Sequence, residues 1–100
     1  MLIDFQYEQQ KKFDVLALEI LQHPKQFLNF DSISDFYRAP WLQQFPKGTQ
    51  WSATGLDDGA EEYCICIEYK VQSLFIDYAA QQLSVVYDWN GLKRSGQHIA

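Results

Sequence analysis

Glu61-Glu62-Tyr63-Cys64-Ile65-Cys66-Ile67-Glu68-Tyr69-Lys70-Val71 is the stretch that decides the fold, because Tyr63, Ile65, Ile67, Tyr69 and Val71 alternate with Cys64, Cys66, Glu68 and Lys70. A period of two places the first set on one face of a β-strand and the second set on the other. Downstream, Leu74–Tyr78 and Leu83–Trp89 repeat the pattern, the latter through Leu83, Val85, Tyr87 and Trp89. Ala79-Ala80-Gln81-Gln82 joins these two as a hairpin, although it lacks the Asn-Gly or Asp-Gly pair such turns favour, and a helix over 73–82 is the alternative. Upstream, Asp57-Asp58-Gly59 is a turn signal, and Thr49–Leu56 before it reads as another strand of the same sheet. Asn90-Gly91 closes the last strand, and the polar, basic segment Lys93-Arg94-Ser95-Gly96 is expected to fray.

The amino-terminal half has a different period. Phe13, Leu16, Ala17 and Ile20 recur at three-four spacing, widened by Val15, Leu18 and Leu21, which predicts a helix over 5–22 with Asp4 as its N-cap. His23-Pro24 stops it, since the residue before a proline is pushed out of helical geometry. Between Pro24 and Pro46 only short helical pieces are expected, one capped by Asp31 or Ser32 and one opening at Pro40 and carrying Trp41, Leu42 and Phe45. Helices first and strands afterwards give an α+β fold, N-terminal helices packed on one face of a C-terminal antiparallel sheet of three to four strands.

At 100 residues the chain suits a single domain spanning 1–100, and 47% hydrophobic against 21% charged residues is a globular balance. The first residues show no basic leader followed by an apolar run, and no stretch approaches the ~20 apolar residues of a membrane helix. A cytoplasmic protein with no membrane partner is the expectation. Cys64 and Cys66, two apart on one strand face, are too strained to bridge and read as buried free thiols of a reducing compartment.

Charge is informative by position. Gly48 to Tyr69 holds no Lys or Arg but five acids, Asp57, Asp58, Glu61, Glu62 and Glu68, while eight acids face eight bases elsewhere, so the net charge of −5 resides in this stretch. Such a field repels nucleic acid and attracts basic surfaces. Asp57, Asp58, Glu61 and Glu62 are therefore candidate contacts for a basic partner, the alternatives being a solvated turn or a hard-cation site whose spacing does not fit an EF-hand. Aromatic residues make up 16% of the chain and are mostly core, but Trp41 and Trp51 lie among glutamines, where an exposed ring would anchor an interface.

Catalysis has little support. His23 and His98 lack an orienting carboxylate, and acids near Cys64 and Cys66 raise rather than lower a thiol pKa. The glycines match no phosphate-binding or dinucleotide pattern, and no cofactor is expected.

In size, acidity, aromatic content and layout, including Leu56-Asp57-Asp58-Gly59-Ala60-Glu61-Glu62-Tyr63, the chain resembles the small immunity proteins of bacterial toxin systems such as contact-dependent growth inhibition. That resemblance implies an inhibitor that binds a cognate toxin domain, often a basic nuclease, and blocks an essential surface. It carries no residue roles. The alternative class is an accessory subunit whose acidic stretch meets a larger assembly.

Overall fold

The structure, a computed structural model, describes residues 2–28, 33–55 and 62–99, with side chains at 5–28, 34–55 and 62–97. Helix α1 (Leu2–Gln22) leads into two short helices, α2 (Pro24–Phe27) and α3 (Ile33–Tyr37), and a 3-10 turn at Pro40–Gln44. Five strands follow: β1 (Gln50–Thr54), β2 (Tyr63–Tyr69), β3 (Gln72–Ala79), β4 (Gln82–Trp89) and β5 (Leu92–Ile99). They form one antiparallel meander in the order β1-β2-β3-β4-β5, so every strand pairs with its sequence neighbour.

The α+β layout with helices on one sheet face agrees with the expectation, but the sheet has five strands, not three to four. The extra strand is β5, where a fraying tail was expected. Its residues lack apolar alternation because it is an edge strand that the helices scarcely cover: Leu92, Lys93 and Arg94 are all exposed. Its pairing with β4 is held by backbone hydrogen bonds, which leave no trace in side-chain pattern.

Tight turns set the register. Residues 80–81 and 90–91 are two-residue loops in which both positions take positive φ, as a type I′ turn requires. Asn90-Gly91 suits that geometry, and the Gly91 N–H donates to Asp88 Oδ1 at 2.8 Å. Ala80 and Gln81 adopt it with φ of 53° and 63° and no such suitability, which is why the turn was hard to read and why the helical alternative over 73–82 does not form. At the β2–β3 turn Lys70 takes φ 53°, so Val71 falls in the loop and is exposed rather than continuing the buried face.

The core lies between the helices and the inner sheet face. Phe13, Leu16, Ala17 and Ile20 from α1 meet Ile65, Ile67, Tyr69, Leu74, Ile76, Leu83, Val85 and Tyr87. The Phe13 ring sits 4.9 Å from Phe45 and 6.1 Å from Tyr87. One buried polar network pins α1 to the sheet: Tyr87 Oη donates to Asp14 Oδ1 at 3.0 Å, and Gln72 Nε2 donates to Tyr87 Oη at 3.0 Å and to Gln10 O at 2.8 Å. Gln72 Oε1 is buried with no partner among the described residues, a penalty the two donated bonds offset. The helix begins at Leu2, so Asp4 lies in its first turn and is not the N-cap.

Candidate protein-binding surface

Period-two geometry fixes what the sheet shows on the side away from the helices. The register aligns three outer rows: Gln50–Glu68–Ser73–Asp88–Lys93, Ser52–Cys66–Phe75–Val86–Ser95 and Thr54–Cys64–Asp77–Ser84–Gln97. Strands β1 to β4 contain no Lys or Arg, and their three acids, Glu68, Asp77 and Asp88, all point to this outer side. An ordinary solvated face intersperses both signs. Here the one base in these rows is Lys93, across from Asp88 at the edge.

The acids are held by the sheet's own donors. Cys66 Sγ donates to Glu68 Oε1 at 3.1 Å, and Asp88 Oδ1 accepts the Gly91 amide. Burial, and then the Glu68 carboxylate, push the Cys66 thiol up to about 12 from 9.0. Cys64 is pushed in the same direction by burial and by its bond to Asp77. Both thiols are free, and protonated at neutral pH, as their acidic surroundings predicted. Neither is buried as expected: Cys64 is exposed and Cys66 half-buried, because both project to the outer side.

The residues singled out from the sequence separate. Trp41 is a core residue, 9% exposed, with its Nε1–H donating to Phe27 O at 3.1 Å and its ring edge-on to Phe27, so it is not the exposed ring that an interface anchor would require. Trp51 is half-buried on the inner side of β1 and also borders a shallow groove with Gln50, Ser52, Cys66 and Glu68. Trp89 is half-buried at the margin of the core. Glu62 is exposed directly before β2. Asp57, Asp58 and Glu61 lie outside the described residues, in the connection between β1 and β2. The ends of that connection approach closely: a Cβ on Gly55, which has φ 79°, would lie 2.5 Å from Glu62 O.

Phe75 is what the sequence reading missed. It stands mid-face in the central row, 39% exposed, between half-buried Cys66 and Val86. It hides in the apolar run Leu74-Phe75-Ile76, yet strict alternation from Leu74 assigns it to the outer side. Among the described residues no three His, Cys, Asp or Glu side chains gather as a metal ion would need. No described helix is long and apolar enough to cross a membrane.

Comparison with protein-family models finds no match, and comparisons with curated proteins and with solved structures find none either.

Proposed function

We propose that this protein binds and neutralises a protein partner by covering a basic surface on it, in the manner of an immunity protein acting on a toxin domain. The observation that supports this reading is the single sign of charge across four adjacent strands: Glu68, Asp77 and Asp88 on the outer side, no Lys or Arg on β1 to β4, and Glu62 at the mouth of β2. Like-signed charge on a rigid surface accelerates encounter with an oppositely charged protein and repels nucleic acid. Rigidity comes from the fully paired meander, so little conformational entropy is lost on docking.

The test is affinity capture from the native cell, followed by association kinetics with the stoichiometric partner at increasing ionic strength. The reading expects a partner with a net basic contact surface and an association rate that falls several-fold between low salt and 0.15 M, where the Debye length shortens to about 8 Å. An acidic partner, or a rate indifferent to salt, contradicts it.

A further inference from the structure

Resting on the reading of a basic protein partner, we propose that the outer face of the sheet, rather than the β1–β2 connection, is the docking surface, with Phe75 as its anchor. The partner it fits presents an apolar side chain ringed by Lys or Arg. Three features of the face point there together.

Its charge is placed around an apolar centre. Phe75 pairs with Cys66 on one side and Val86 on the other, giving a short apolar bar across β2, β3 and β4. Asp77 follows two residues along the same strand on the same side, and Glu68 follows Cys66 likewise, so these acids flank the bar at a backbone spacing of about 7 Å, and the Glu68 carboxylate reaches back to Cys66 Sγ at 3.1 Å. A buried aromatic anchor with charge at its rim is the arrangement that hot spots adopt.

Its relief is low. Ser52, Ser73, Ser84, Ser95, Cys64 and Cys66 are short, so a partner backbone can approach while the Phe75 ring stands above them. Long Lys and Glu side chains, which normally keep an open sheet face solvated, are nearly absent.

Its extent suits a small interface. Five strands of five to eight residues, at about 4.8 Å between strands and about 3.4 Å per residue, give a platform of at most about 19 by 27 Å, or about 500 Å², against the roughly 800 Å² each partner commits to a standard interface. A second copy of this chain is the less suitable occupant, because two such faces would oppose Glu68, Asp77 and Asp88 to one another.

The probe is a 14-residue peptide alternating Arg and Leu, with a Glu-for-Arg version as control, titrated into the full chain and followed by side-chain NMR. Signals of the Phe75 ring and the Val86 methyls should move, while those of Ile76 and Val85, on the inner side, stay still. Phe75→Ser should weaken binding at least tenfold while the protein stays folded, with Ile76 and Val85 signals in place. Glu68→Gln with Asp77→Asn should weaken it and flatten its salt dependence, whereas Glu8→Gln with Glu19→Gln on α1 leaves it intact. Equal weakening by the α1 pair would show that the peptide reads net charge only and overturns the proposal. Movement of Phe75 and Val86 with protein concentration alone would assign the face to a second copy and also overturn it. Arg-Leu peptide binding that leaves the face still and is lost on replacing Asp57, Asp58, Glu61 and Glu62 with Ser defeats this inference but leaves the basic-partner reading standing. Equal binding of the Glu-containing peptide defeats the reading itself.

Discussion

Tyr87 shows how much one side chain can hold. Its hydroxyl donates to Asp14 Oδ1 and accepts from Gln72 Nε2, both at 3.0 Å, where burial raises the phenol above its ordinary range and its bond to the Asp14 carboxylate adds to the rise. Tyr87→Phe removes the hydroxyl and takes one partner each from Asp14 Oδ1 and Gln72 Nε2, while Gln72 keeps Gln10 O and Asp14 keeps Lys11, so it should destabilise the fold by about 1–2 kcal/mol, a loss read directly in urea unfolding. Titration at the residue scale has a defined sign. Cys66 is raised from 9.0 to about 12 and Tyr63 from 10.0 to about 12, each chiefly by burial. The folded protein holds these protons more tightly than the unfolded chain. Their contribution to stability is therefore complete below pH 9 and is lost as pH climbs towards 12, and melting temperatures taken from pH 8 to 11 should fall over that range. A flat profile would mean that the two groups titrate alike in both states. The Tyr87 network was not legible in the sequence, since it joins positions 14, 72 and 87 through tertiary packing alone, whereas the rise of the Cys66 thiol was expected from the acids near it.

Elements were legible in proportion to how one-sided their burial is. Strands β2, β3 and β4 bury one face against the helices and show it as strict alternation, and α1 shows its buried stripe at Phe13, Leu16, Ala17 and Ile20. Strand β5 is exposed on both sides through most of its described length and so carries no pattern to read. The Ala80-Gln81 turn was obscured for a different reason, because its residues occupy left-handed backbone that they do not favour. That strain makes a prediction at this scale. Replacing Ala80-Gln81 with Asn-Gly, the pair the chain itself uses in an adjacent turn at Asn90-Gly91, should stabilise the protein by about 1–2 kcal/mol. Thermal unfolding checks it, and an unchanged or lowered melting temperature would show that the native turn is already relaxed.

Across the whole molecule, the sheet divides two kinds of surface. Helices and aromatic rings cover one side except along β5, where Leu92 and Arg94 are exposed; the other carries mostly short side chains and, from β1 to β4, acids alone among charged residues, with Lys93 across from Asp88. The sequence located the acidity between Gly48 and Tyr69 but not its geometry, because Asp77 and Asp88 fall beyond Lys70 and join Glu68 only through the strand register. Trp41, a candidate anchor, is inside the core, and on the outer face of the sheet the exposed ring is Phe75, with Phe5, Tyr7 and Tyr37 exposed on the helices. The most direct measurement is the dissociation rate of the partner captured from native cells, compared between the wild-type protein and Phe75→Arg. If the outer face is the docking surface, the variant should melt as the wild type does and release its partner at least tenfold faster. A folded Phe75→Arg protein that holds its partner as long as the wild type would contradict the account.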